Sequence, residues 1–206
     1  MTDATPAPGA PRMHTEEEIQ AYSVDIIKPL TGPIAFVEYD PDWPALFARE
    51  EARIRSILGG RVLRLEHTGS TSVPGLAAKP IIDITMTVED VLDEPAYVPD
   101  LAAAGYRLVI REQEPDWYDH RVFKGPDTNL NLHVFSDGCP EVGRMVGFSD
   151  WLRSHGDDRA LYESTKRELL KHDWKFVQNY ADAKGAVVEQ IAARAGIGGP
   201  HPSSAR

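Results

Sequence analysis

The 206-residue sequence contains a single cysteine, Cys139. One cysteine excludes an intrachain disulfide and a zinc site built from several thiolates. Long apolar runs are missing as well: no stretch approaches the roughly 20 apolar residues that cross a bilayer, and no signal-peptide core precedes Ile19. We therefore expect a cytoplasmic protein that has no membrane partner and is not secreted.

Basic residues are scarce relative to acidic ones. The chain has 22 Lys and Arg against 32 Asp and Glu, which gives a formal net charge of -10. This charge repels polyanions, so we expect no nucleic-acid partner. A cationic pocket for a small phosphorylated substrate stays compatible with it, because a few placed side chains create such a pocket.

Repeats, low-complexity blocks and long internal linkers are also missing. With 42% hydrophobic residues, the chain can form one proper core. We predict a single domain over residues 19–195, between flexible tails at residues 1–18 and 196–206.

Apolar periodicity predicts a mixed sheet followed by helices. Alternating or β-branched segments indicate strands at residues 34–38, 61–67, 81–88, 106–110, 118–123 and 130–135. Helical spacing is found at residues 40–58, in a short Ala-rich helix that ends at Gly105, and from residue 141 onward. This order is typical of the α+β class.

Residues 66–84, with the sequence EHTGSTSVPGLAAKPIIDI, lie between two predicted strands. A turn at Gly69 and Ser70 offers backbone N–H groups and a hydroxyl to a phosphate, although an ordinary turn with a serine cap fits the same pattern. Asp83 interrupts an apolar strand, where a lone carboxylate needs compensation. It either binds Mg²⁺ or accepts hydrogen bonds from a neighbouring loop.

The Gly-Ser pair followed by an aspartate on the next strand is similar to the signature of the nucleotidyltransferase superfamily. The whole string from His67 to Ile84 resembles the GrpB family, also called UPF0157, and the resemblance extends over residues 34–195. Further segments that carry it are Tyr39-Asp40-Pro41-Asp42-Trp43, Gly105-Tyr106, Leu132-His133-Val134, Asp150-Trp151-Leu152-Arg153, Tyr162 with Lys166, and Tyr180 with Lys184.

This resemblance implies a nucleotidyltransferase-like mixed sheet with flanking helices and a helical C-terminal region. It also implies metal-dependent transfer of a nucleoside monophosphate from an NTP, with ATP the expected one, to a small-molecule or protein acceptor. Gly69 and Ser70 would hold the β- and γ-phosphates, and Asp83 would bind Mg²⁺ or Mn²⁺. The superfamily expects a second carboxylate two residues later, where this sequence has Thr85.

Other side chains are candidates to complete the site. Glu66 and His133 would join Asp83 as metal ligands, or His67 or His133 would act as a base toward the acceptor. Imidazole ligands favour Mn²⁺ or Zn²⁺ over Mg²⁺. Each histidine is equally compatible with an ordinary hydrogen-bonded structural role.

Further residues are expected to contact the nucleotide. They are Thr71, Lys79, Arg153, Lys166, Tyr180 and Lys184. Charged residues on helices also commonly face solvent. Two alternative functions stay open: a catalytically degenerate module that binds a nucleotide or a protein partner, which Thr85 motivates, and an adenylate-forming ligase.

Overall fold

A computed structural model of the chain describes residues 13–113 and 118–198. Its centre is a sheet of five strands in the spatial order β1-β2-β5-β4-β3. The strands are β1 (Arg64–Thr68), β2 (Ile82–Val88), β3 (Arg107–Glu112), β4 (His120–Lys124) and β5 (Leu130–Ser136). Strands β2 and β5 are parallel, and the other neighbours are antiparallel. The predicted α+β class is confirmed.

Seven α-helices surround this sheet in the described part of the chain. They are α1 (Glu16–Tyr22), α2 (Trp43–Leu58), α3 (Val98–Ala103), α4 (Pro140–Ser154), α5 (Gly156–Leu169), α6 (Val177–Ala183) and α7 (Gly185–Ala195). A short 3₁₀ turn at Ser70–Ser72 follows β1 directly. No helix among the described residues is long and apolar enough to cross a membrane.

One face of the sheet forms the main core. Alternate residues of β2, Ile82, Ile84 and Met86, are buried there, as strand geometry requires of a half-buried sheet. Ile54 of α2 and Leu101 of α3 pack in the same cluster. This packing fixes the register of the strands, because a slip by one residue would turn the apolar side chains of β2 to the other face.

The other face of the sheet is polar. Pairing across four strands places Thr68, Asp83, Asn131 and Lys124 in one row, and Glu66, Thr85, His133 and Val122 in the next row. Side chains directly opposite each other point to the same face. Both rows therefore face the C-terminal helices, which have an apolar cluster of their own around Leu76, Tyr162 and Ile191.

One predicted strand and one predicted tail differ from the structure. Residues 34–38 do not form a strand, because only an isolated bridge joins Val37 to Ala78. Helix α1 begins at Glu16, inside the predicted tail, and the side chain of Thr15 caps it. His14 anchors this helix to α6, with 2.9 Å between its Nδ1 and Asp182 Oδ1. Residues 1–12 and 199–206 of the predicted tails lie outside the described residues.

Candidate functional site

A cleft of about 630 Å³ separates the polar face of the sheet from helices α5 and α6. The sheet contributes Asp83 and His133 to its lining, and the helices contribute Lys166, Tyr180 and Lys184. Its volume is within the range of small-molecule sites. The cleft therefore joins residues of the Gly-Ser turn, the central strand and the late helices that are far apart in the sequence.

Gly69 permits the close approach of the turn to Asp83. Its φ of +68° favours glycine, and a Cβ added there would lie 2.5 Å from Asp83 Oδ2. The hydroxyl of Ser72 donates a 2.8 Å hydrogen bond to the carbonyl oxygen of Gly69 and closes the turn. The turn and the carboxylate consequently face each other, as the phosphate-binding prediction requires.

Asp83 is held by polar neighbours on the adjacent strand. Asn131 donates a 2.7 Å hydrogen bond to Asp83 Oδ1, and His133 Nε2 lies 3.7 Å from the same oxygen. Burial opposes ionisation of the carboxyl, but hydrogen bonding and nearby positive charge outweigh it and hold the pKa of Asp83 below its usual value. The side chain is 27% exposed and carries a negative charge at neutral pH.

Three lysines, Lys79, Lys166 and Lys184, converge on the cleft. Lys166 donates to Ser70 Oγ at 3.0 Å and to the carbonyl oxygen of Ala77 at 2.6 Å. Burial, followed by repulsion from Lys184, lowers the pKa of Lys166 to about 7 and that of Lys79 to about 8. Burial also lowers the pKa of Lys184. Repulsion from Lys184 thus adds to the cost of burying Lys79 and Lys166, while Asp83 and Asp182 partly compensate the charge of Lys184.

Tyr180 lies between two of these lysines. Its ring centroid is 5.4 Å from Lys79 Nζ and 5.0 Å from Lys184 Nζ, which are cation–π distances. The side chain is 1% exposed, and its hydroxyl finds no hydrogen-bond partner among the described residues. The hydroxyl is buried, so a ligand atom would hydrogen-bond to it only after a shift of the ring or of its neighbours.

His67 does not face the cleft, contrary to its predicted role as a base. It pairs with Ile84 in the sheet register and stacks on Phe47 of α2 at 4.9 Å between ring centroids. Burial, with repulsion from Arg153, lowers the pKa of His67 to about 4, so the imidazole is neutral at neutral pH. Its position on the core side of the sheet makes it a structural histidine.

Thr71 and Arg153 support the turn, although both were predicted to contact the nucleotide. Thr71 is 1% exposed, and its hydroxyl donates to the carbonyl oxygen of Ile81 at 3.1 Å. Arg153 donates to the carbonyl oxygens of Ser72 at 3.0 Å and His67 at 3.2 Å. Both side chains thus hydrogen-bond to the protein itself, and Thr71 also lines the cleft.

The predicted ligand set of Asp83, His133 and Glu66 does not assemble. Glu66 is 42% exposed and pairs with Arg64, with 3.1 Å between Oε1 and Nε. Within residues 13–113 and 118–198, no three His, Cys, Asp or Glu side chains come together in a metal-ligating group. The hydroxyl of Thr85, at the expected position of the second carboxylate, is buried 2.8 Å from the hydroxyl of Thr68.

The superfamily resemblance also implies a pair of divalent ions, and these donors do not fit such a pair. A single Mg²⁺ or Mn²⁺ would have Asp83 as its protein ligand, would need further oxygen ligands from a substrate or water, and would neutralise negative charge there.

The family follows from comparison with known sequences. A family model described as GrpB protein matches residues 33–194. The chain belongs to the GrpB family. A GrpB protein of Enterococcus faecalis has a solved structure that superposes with a TM-score of 0.67 at 29% identity, covering 78% of this chain and 96% of that one.

The sequence relatives of the chain differ from one another in length. A UPF0157 protein of Halalkalibacterium halodurans is 57% identical over 88% of this chain and 92% of its own. A UPF0157 protein of Streptomyces coelicolor is 41% identical over 84% of this chain and 92% of its own. A dephospho-CoA kinase of Mycolicibacterium paratuberculosis is 35% identical over 66% of this chain but only 39% of its own.

Several residues that line the cleft were not predicted from the sequence. Lys124 donates a 2.6 Å hydrogen bond to Asn131 Oδ1, and both side chains line the cleft. His120 and Glu112 lie behind His133. The signal was the alternation along β4 and β5, which places His120 and Lys124 on one face of β4, and Asn131 and His133 on one face of β5.

Proposed function

We propose that the cleft binds a nucleoside triphosphate, with ATP the expected one, through its phosphates. The convergence of Lys79, Lys166 and Lys184 beside the Gly69–Ser70 turn carries this proposal. None of the three lysines forms an ion pair with a carboxylate of the described residues within 4.0 Å. Buried ammonium groups are costly without anionic partners, and a triphosphate supplies several negative charges at once.

The unsatisfied hydroxyl of Tyr180 provides the test of this proposal. In the free protein it makes no hydrogen bond with the described residues, so Tyr180→Phe removes no protein contact. In the complex the same change removes a donor to a phosphate oxygen. Hydrogen bonds to charged groups contribute about 1.5 to 3 kcal/mol, which corresponds to a loss of affinity of roughly tenfold or more.

Binding of ATP, GTP, CTP and UTP is measured by calorimetry for the wild type and for two tyrosine variants. We expect Tyr180→Phe to weaken binding at least about tenfold with an equal or higher melting temperature, because the change removes a buried hydroxyl that has no partner. The control is Tyr97→Phe, because Tyr97 donates a buried 2.7 Å hydrogen bond to the carbonyl oxygen of Val91, outside the cleft. This control should lose about 1 kcal/mol of stability and keep its affinity. The absence of binding by every triphosphate contradicts the proposal.

A second candidate function is transfer of the nucleoside monophosphate to a small-molecule or protein acceptor. The placement of Asp83 and His133 opposite the Gly-Ser turn favours it. In this reaction the acceptor oxygen bonds to the α-phosphorus, the bond to pyrophosphate breaks, and the acceptor proton passes to His133. Thr85 stands where a second carboxylate would help to bind two metal ions. Its presence therefore favours binding without turnover.

Pyrophosphate release separates these candidates. The protein is incubated with each NTP and Mg²⁺ or Mn²⁺, alone and with hydroxyl, carboxylate or amine acceptors. Release that disappears in Asp83→Asn and persists in the control Glu66→Gln supports transfer, since Glu66 pairs with Arg64 instead of Asp83. Release that requires a carboxylate, followed by release of AMP when an amine is added, indicates the adenylate-forming ligase, because pyrophosphate leaves when the carboxylate oxygen bonds to the α-phosphorus. Triphosphate binding without release in any mixture identifies a binding module.

A further inference from the structure

A chain of hydrogen-bonding side chains crosses the sheet from its edge to Asp83. Glu112 Oε2 on β3 lies 2.8 Å from His120 Nδ1 on β4. His120 Nε2 lies 3.1 Å from His133 Nδ1 on β5, and His133 Nε2 lies 3.7 Å from Asp83 Oδ1 on β2. Three gaps between facing nitrogen or oxygen atoms therefore separate these four side chains, with a carboxylate at each end and two imidazoles between.

At pH 8, where imidazoles are mostly neutral, the two rings carry only two N–H groups, so at most two of the three gaps contain a hydrogen bond. The two short gaps, at 2.8 and 3.1 Å, have hydrogen-bond length, and the gap of 3.7 Å to Asp83 does not. The protons consequently belong on Nδ1 of His120, facing Glu112, and on Nδ1 of His133, facing His120. His133 Nε2 is then left with a lone pair.

The surroundings of His120 hold this arrangement in place. The ring is 8% exposed and stacks on Phe135 at 4.4 Å between centroids, with an interplanar angle of 5°. It is nearly coplanar with the ring of His133, which suits an in-plane hydrogen bond between them. Burial lowers the pKa of His120, which keeps the ring neutral and its Nε2 able to accept.

We propose that Glu112 and His120 are positioning residues that fix the tautomer of His133, so that its Nε2 presents a lone pair to the cleft. Buried partners set the tautomer of functional histidines in the same manner elsewhere. Nε2 and Asp83 Oδ1 then form a pair of acceptors, which calls for a donor on the ligand. A hydroxyl fits better than an ammonium group, because Lys79 and Lys124 line the same cleft.

The tautomer itself does not depend on nucleotide binding. Only the use of the lone pair toward an acceptor hydroxyl rests on the proposed transfer function. A measurement on the protein without nucleotide therefore tests the inference separately from the calorimetry and the pyrophosphate assay.

The tautomer is measured by long-range ¹H–¹⁵N NMR on protein labelled with ¹⁵N-histidine, at pH 8, where imidazoles are mostly neutral. His133 is assigned from the signals lost in His133→Gln. We expect a protonated, pyrrole-type Nδ1 and an unprotonated, pyridine-type Nε2 for His133. A pyrrole-type Nε2, or a mixture of both tautomers, overturns the proposal.

The variant His120→Phe keeps an aromatic ring against Phe135 but removes the acceptor for His133. We expect Nε2 of His133 to shift from pyridine type to pyrrole type in this variant, because the nearby Asp83 then favours a proton there. His67 is the internal control, since its Nε2 faces the hydroxyl of Thr71 and should not shift. A His133 spectrum unchanged by the substitution contradicts the positioning role. If His120→Phe does not fold, Glu112→Leu provides the same test with the same expected shift.

Discussion

At the scale of single residues, Gly69 determines how closely the turn after β1 approaches Asp83. Its positive φ turns the chain out of β1, and its missing side chain leaves room for Asp83 Oδ2. A larger residue would have to displace the carboxylate or the turn. The close approach of these two groups is what makes the phosphate-binding proposal geometrically possible.

Gly69→Ala should therefore disturb stability and ligand binding together. We expect a loss of about 1 to 3 kcal/mol in the free energy of unfolding from the strained backbone, and a loss of triphosphate affinity. Gly60→Ala is the matched control, because an added Cβ there meets nothing within 4 Å. Urea unfolding and calorimetry measure the two effects. Equal stability of both variants contradicts the assigned role of Gly69.

Lys166 should give a stability that depends on pH. The pKa of this lysine is about 7 in the folded protein and 10.5 ordinarily, so between these values the unfolded state binds one more proton. Stability contributed by this site therefore rises with pH across that window. Between pH 7 and pH 10, the wild type should gain about 2 to 4 kcal/mol relative to Lys166→Met. Parallel pH profiles of the two proteins in urea unfolding would show that the ammonium group is already compensated.

At the scale of elements, α1 closes one end of the cleft. Ile19 and Tyr22 of this helix line the cleft, although the family match begins at residue 33. The helix is attached to α6 through Asp182, which accepts a 2.8 Å hydrogen bond from the backbone N–H of His14. Asn179 also donates to the carbonyl oxygen of His14 at 3.0 Å. These polar contacts therefore add to the burial of Ile19 in attaching α1.

Asp182→Ala should loosen α1 without unfolding the sheet. We expect faster hydrogen exchange at the amides of Glu16–Tyr22 and unchanged exchange in β2 and β5. Asp173→Ala is a control, since Asp173 is exposed in the same helical region. Exchange measured by mass spectrometry distinguishes the two variants. Uniformly faster exchange throughout the chain would show that Asp182 stabilises the whole fold.

At the scale of the whole molecule, charge is distributed unevenly. The net charge is -10, yet lysines concentrate in one cleft. Long-range repulsion of a polyanion and short-range attraction of a single triphosphate are compatible, because the first depends on total charge and the second on local contacts. A small ligand fits this distribution better than a nucleic acid does.

The protein should accordingly bind a triphosphate but not an oligonucleotide. We expect no change in the fluorescence anisotropy of labelled single-stranded RNA or duplex DNA at protein concentrations that saturate with ATP, at about 0.15 M salt. A protein of opposite net charge, such as lysozyme, serves as the positive control for the labelled strands. Oligonucleotide binding that ATP displaces would instead identify the cleft as a nucleic-acid site.

The sequence by itself determined the family, the α+β class and the segment that supplies the turn and Asp83 of the cleft. Local information suffices for these, since the string from His67 to Ile84 is contiguous and the strand periodicity is set by neighbouring residues. Tertiary structure decided which predicted residues share the cleft. The register sends His67 to the core face and His133 to the cleft face, and it depends on pairing between strands distant in sequence. Helix packing likewise decided that Lys166 reaches Ser70 while Arg153 supports the turn.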